Sequence, residues 1–202
     1  MSCLLKKEEG KANAILTFKR DRLIYDIENY AYIEGSVMET ENSHNRHTVA
    51  DVGQEGNIDR VSRKIDLAVA KCKEMLYPYT KHEVHKPVLD NRMKAPSTYA
   101  IVLTVPEGFS QTTLILLERL IHEYIVCMAV ADWMSITNPS KTETWREKAE
   151  EAATEIRTSL RARLGQAQAA SVLTRDITKK ETPPGMCTAE FLFYKAVIAA
   201  DW

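Results

Sequence analysis

Apolar residues recur along this chain with two periods, and each period predicts a kind of element. In RDRLIYDIENYAYIEGSVM, Leu23, Ile27, Tyr30, Ala31 and Glu34 fall at helical spacing, with Ile24 and Tyr25 widening the stripe. The spacing predicts a helix over 19–38. In NIDRVSRKIDLAVAKCKEMLYPY, one stripe joins Ile58, Val61, Ile65, Ala68, Val69, Cys72, Met75 and Leu76. Asn57 is its expected N-cap and Pro78 its stop. TYAIVLTVP is rich in β-branched and aromatic residues and predicts a strand over 98–105, ended by Pro106. Glu83-Val84-His85 is a candidate pairing segment. Ser110 suits the N-cap of a helix over 111–136. Leu114, Leu117, Ile121, Tyr124, Ile125, Met128 and Ala131, flanked by Ile115, Leu116 and Val130, make it apolar round most of its circumference. Such a helix is normally central or sandwiched.

Pro139 keeps Asn138 out of helical geometry, so TNPSKTETW reads as a reversal. Ser140 or Thr142 then caps a helix over 141–164, with Trp145, Ala149, Ala152, Ile156, Leu160 and Leu164 as its apolar stripe. Its acids, Glu143, Glu147, Glu150, Glu151 and Glu155, come early. Arg157, Arg161 and Arg163 come late, which suits the helix dipole, and Gly165 is a natural stop.

The remaining segments lack such a period. Residues 1–17 read as a polar arm with a small apolar patch at Ala14-Ile15-Leu16. Residues 39–57 read as a long loop containing Gly53 and Gly56, and residues 80–97 as a connector. Residues 166–202 change character: Pro183-Pro184-Gly185 breaks the chain, which turns apolar again at Phe191-Leu192-Phe193-Tyr194 and at Trp202. The expected fold is mainly α. It is a helical bundle with an antiparallel helical hairpin, a minor β-strand or hairpin, and extended loop and terminal arms. The bundle domain covers 1–165 and an extended C-terminal arm 166–202; a chain of 202 residues has room for both.

Charge narrows the partners. The 27 basic and 28 acidic residues nearly cancel, so no global attraction to nucleic acid or an acidic membrane surface is expected. The longest apolar stretch, 114–134, is interrupted by Glu118, Arg119, His122, Glu123 and Asp132, which predicts a helix buried in protein rather than in lipid. Cys3-Leu4-Leu5 is too short for a signal-peptide core. Cys3, Cys72, Cys127 and Cys187 are widely spaced, with no CxxC pair, and read as reduced thiols.

Candidate chemistry is sparse. His82-Glu83-Val84-His85 has its histidines three apart between Pro78 and Pro87, not four apart on a helix as a zinc-protease motif needs. His44 and His47 lie in a polar segment without cysteines. No nucleophile elbow and no glycine-rich phosphate cradle occurs. His122 and Glu123 on the apolar helix, with Asp132, are the best catalytic candidates. The competing reading makes His122 a packing residue and leaves Asp132 solvent-reaching or paired with an arginine of the next helix. Arg157, Arg161 and Arg163, with Lys71, Lys73 and Lys81, could touch phosphates, but acids balance each set. No cofactor and no metal is expected.

The order of elements around Tyr124, Ile125, Val126, Ala131, Asp132, Trp133, Asn138, Pro139 and Trp145 resembles the head–tail connector (adaptor, or neck ring) proteins of tailed bacteriophages, in particular the crAss-like type. The resemblance covers about 98–164, roughly a third of the chain. It implies a non-catalytic virion subunit at the head–tail interface, assembled in the host cytoplasm. It also implies a homo-oligomeric ring, commonly twelve-fold, that meets the portal and other neck or tail proteins. DNA would pass through the lumen without sequence-specific binding, and no membrane is involved. On that reading Tyr124, Trp133, Pro139 and Trp145 pack the hairpin, and Phe191, Phe193, Tyr194 and Trp202 anchor the arm in a neighbour's groove. The alternatives are a small cytosolic helical enzyme or regulator using His122, Glu123 and Asp132, and a nucleic-acid-associated factor.

Overall fold

A computed structural model describes residues 6–8, 11–38, 43–77, 79–81, 96–106 and 109–179, with side chains over 11–38, 44–77, 79–81, 96–106 and 109–160. The fold is mainly helical, as the periodicity predicts.

Its small sheet corrects the N-terminal arm. β1 (Lys6–Glu8), β2 (Lys11–Lys19) and β3 (Thr98–Pro106) form an antiparallel sheet in that order. Residues 11–17 therefore belong to a strand. The signal is alternation: Ala14, Leu16 and Phe18 are buried, and the residues between them are only partly covered. Ala14 pairs with Leu103, Leu16 with Ile101 and Phe18 with Tyr99. Because strand side chains alternate in direction, those six residues share one face. All are buried, so helices cover that face alone. The pairing segment of β3 is β2, while Glu83-Val84-His85 lies outside the described residues.

Among the described residues five longer helices follow: α1 (Arg20–Val37), α2 (Ser43–Ala50), α3 (Glu55–Met75), α4 (Gln111–Thr137) and α5 (Thr142–Lys179). The expected loop 39–57 is thus corrected too. It holds α2, a 3-10 turn at Asp51–Gly53 and the start of α3. Polar SHNRHTVA has no apolar stripe of its own, and it docks through Val49 and then Val52, both buried. Gly35 of α1 allows the approach: a Cβ there would stand 2.9 Å from the Arg46 carbonyl oxygen of α2. Gln54, not Asn57, is the N-cap residue of α3; Asn57 instead donates from Nδ2 to the Asp51 carbonyl at 2.8 Å.

α4 is the central element. Leu117, Ile121, Ile125 and Met134 are fully buried, and its packed positions surround the axis. Each such side chain contributes about 1.5–3 kcal/mol of apolar burial. α5 returns antiparallel along it, so that Tyr124 feels the charges of Glu150 and Arg157, and Cys127 that of Lys148. Trp145, Ala149, Ala152, Ile156 and Leu160 supply the α5 side of the core. Tyr25 does not join the core; it is 56% exposed. Gly165 does not stop α5, which continues to Lys179. One glycine costs a helix about 1 kcal/mol, and the surrounding Leu164, Gln166, Ala167, Gln168, Ala169 and Ala170 are good or fair helix formers. The expected extended arm is helical over that part, and residues 180–202 lie outside the described set. The chain divides into two compact units, Met1–Ala162 and Arg163–Trp202.

Candidate functional site

The reversal between α4 and α5 is fixed by its two tryptophans, each tied to a different helix. Trp133 is buried on α4 and donates its indole N–H to the Val49 carbonyl of α2 at 2.8 Å. Val49 lies in the last turn of α2, where carbonyls have no partner within the helix, so the indole caps it. Trp145 is buried on α5, packs against Tyr30 of α1 at 5.0 Å between ring centroids, and donates to Glu34 Oε1 at 3.1 Å. Lys148 Nζ lies 4.0 Å above the Trp145 ring. Pro139 opens a 3-10 turn (Pro139–Lys141) that joins the helices. Neither expected cap acts as one: the Ser140 hydroxyl donates to Asn138 Oδ1, and the buried Thr142 hydroxyl has no partner among the described residues. Tyr124 is buried and shares the core with Cys72 and α5.

A cleft of about 660 Å³ opens where the end of β2 meets α1 and the first half of α4. Asp26 and Tyr30 reach it from α1, one helical turn apart. His122 and Glu123 reach it from α4. His122 Nε2 and Asp26 Oδ2 are 2.8 Å apart, and Arg22 Nε lies 3.3 Å from the same oxygen. A carboxylate only accepts, so with Asp26 ionised Nε2 carries a proton and donates it. The Phe18 ring lies 6.5 Å from the imidazole. The Tyr30 hydroxyl donates to Glu123 Oε1 at 3.1 Å, and the Cys127 thiol points to the same oxygen at 3.6 Å. Burial, together with the adjacent Glu123 charge, pushes the Tyr30 phenol up to about 12. Burial likewise pushes the Cys127 thiol up to about 12, which leaves it protonated and weakly nucleophilic.

Asp132 is not part of this group. It lies ten residues further along α4, about 15 Å by helical rise. Its partners are Lys64 at 2.8 Å and Arg60 at 3.1 Å, both on α3 rather than on the next helix as expected. The structure therefore joins His122 and Glu123 and separates Asp132 from them. It adds Asp26 and Tyr30, which sequence reasoning missed because His122 and Asp26 are 96 residues apart and Tyr30 and Glu123 are 93 apart. His44 and His47 lie on α2, and no group of His, Cys, Asp and Glu among the described residues could hold a metal. Phe191, Phe193, Tyr194, Trp202, His82 and His85 lie outside the described residues. No described helix is long and apolar enough to cross a membrane. No family model, no curated protein and no solved structure matches the chain.

Proposed function

We propose that the chain is a structural subunit of a head–tail connector ring, joining the portal of a tailed bacteriophage to its tail, without catalysis. The observation that carries the reading is the α4–α5 hairpin, built on the residues that resemble those connectors and tied at its reversal to α1 and α2 through Trp145 and Trp133. This makes a stiff body suited to lateral stacking. His122, Glu123 and Asp132 each tie α4 to a neighbouring helix, which a scaffold needs and an enzyme need not have. The aromatic positions Phe191, Phe193, Tyr194 and Trp202 supply contact area to neighbours.

Mass photometry of the full chain, alone and with portal protein, tests this. Closed rings, or assembly that appears only with portal, are expected; a strict monomer that ignores portal refutes it. Removing 186–202 should leave the helical circular-dichroism spectrum intact and impair assembly. If the truncated chain unfolds instead, the segment is an internal lid and the arm reading fails.

The cleft favours one second reading, a small enzyme or regulator. There His122, oriented by Asp26, would act as general base beside Glu123. A thermal-shift screen with metals and nucleotides should then stabilise the wild-type protein and not His122→Ala; a flat response argues against it.

A further inference from the structure

Two surfaces of this chain carry unmatched charge of opposite sign. On α5, Glu147, Glu151 and Glu155 succeed one another at four-residue spacing, on the side opposite the buried Trp145, Ala149 and Ile156. All three are exposed, and none has an ion-pair partner among the described residues. Glu143 and Glu150 differ, because Arg146 and Arg157 match them. With Glu150 and Thr154 the three line a shallow groove of about 510 Å³. Like charges four apart on a helix repel one another, a cost that the early place of the stripe in α5 offsets only in part.

The opposite sign gathers at the mouth of the β2–α1–α4 cleft. Lys19 and Arg119 are exposed and have no ion-pair partner among the described residues. Arg22, 65% exposed, stands beside them. The N-terminal end of α1 adds its positive dipole end, partly offset by the exposed Asp21 of its first turn. The acids of the cleft lie deeper: Asp26 is held by His122 and Arg22, Glu123 is hydrogen-bonded by Tyr30, and Glu118 is half-buried. The stripe points away from the core that α5 shares with α4, and the groove it lines shares no residue with this cleft.

We propose that the two surfaces meet between copies. The Glu147–Glu151–Glu155 stripe of one copy docks on the Lys19–Arg22–Arg119 rim of the next, head to tail. Such a heterologous contact repeats from subunit to subunit and closes into a ring when its rotation fits. Lys19 and Arg119, with Arg22 beside them, oppose the three glutamates, which sets register and speeds encounter. This inference rests on the self-assembly in the connector reading and names the surfaces that carry it.

Charge reversal in the full chain tests it, read by mass photometry and sedimentation, with circular dichroism as the check on folding. Glu147→Lys/Glu151→Lys/Glu155→Lys, and separately Lys19→Glu/Arg119→Glu, should each weaken assembly by about tenfold or more at low salt. The chain carrying both sets should regain assembly, because each stripe again meets an opposite rim. Wild-type assembly should weaken as salt rises from 50 mM to 0.5 M. Reversed variants that assemble like wild type, a combined variant that stays monomeric, or salt-independent assembly would each overturn the inference while leaving the ring intact. A wild-type chain that never assembles, even with portal, overturns both.

Discussion

Replacing Trp133 by Phe removes one indole N–H and keeps an aromatic ring in place. The bond lost is the 2.8 Å contact to the Val49 carbonyl, whose residue is 0% exposed. A buried carbonyl left without a donor costs about 1–3 kcal/mol. The smaller ring leaves space that adds roughly 1 kcal/mol. The total is about 2–4 kcal/mol, and its location matters as much as its size. α2 has eight residues, fewer than the ~12–15 at which an isolated helix becomes even marginal in water, so packing holds it. The loss should therefore appear first as local opening of 43–53. Hydrogen exchange read by mass spectrometry should accelerate there by roughly 30-fold or more, with residues 121–130 of α4 still protected. Urea unfolding followed at 222 nm gives the global figure. A stability change below ~0.5 kcal/mol with unaltered exchange in 43–53 would show that the indole does not hold α2 and that the reasoning is wrong.

Three further outcomes follow from the same packing. Gly35→Ala puts a Cβ 2.9 Å from the Arg46 carbonyl and should destabilise by about 1–2 kcal/mol despite better helix propensity. Gly56→Ala, with nothing within 4 Å of the new carbon, should be neutral or stabilising by up to ~1 kcal/mol; equal effects on the urea midpoint would refute the contrast. Cys72 and Cys127 are buried, with thiols pushed up to about 12. With Cys3 and Cys187 replaced by Ser, Ellman's reagent at pH 8 should find no thiol in the native protein and two in denaturant; rapid native reaction would contradict the burial. Tyr30 titrates from a reference of 10.0 up to about 12 in the folded chain, so folding holds the phenol neutral. That stabilisation is complete below pH 10 and is lost as pH rises toward 12. Tyr30→Phe should reduce the alkaline loss, with the remainder assigned to Tyr79, Tyr99 and Tyr124, whose phenols are also raised by burial. An unchanged loss in that variant would refute the assignment.

The helices that were legible in the sequence are those with a stripe of their own. α1, α3, α4 and the first part of α5 each repeat apolar residues at three and four, and β3 packs branched and aromatic residues before a proline. β2 was harder, because Ala14, Leu16 and Phe18 make a short alternation blurred by Ile15, and its partner lies far along the chain. α2 carries no stripe, since Val49 and Gly35 place it rather than propensity. The candidate site was half legible: His122 and Glu123 stand out as polar groups on an apolar helix, while Asp26 and Tyr30 look like ordinary positions of α1.

The sequence by itself determined that α1, α3, α4 and the first part of α5 are helices, where α4 and α5 reverse, and that α4 is central, because local periodicity, proline and apolar content act within a few residues. Tertiary structure alone decided that residues 11–19 become a strand, that 43–50 become a helix, and that His122 meets Asp26 while Asp132 meets Arg60 and Lys64. The physical reason is range. A strand needs a partner for its backbone groups, and a short polar helix needs a surface to cap and cover it. A buried charge needs an opposite one. Each of those partners is supplied by a segment that the local pattern does not name.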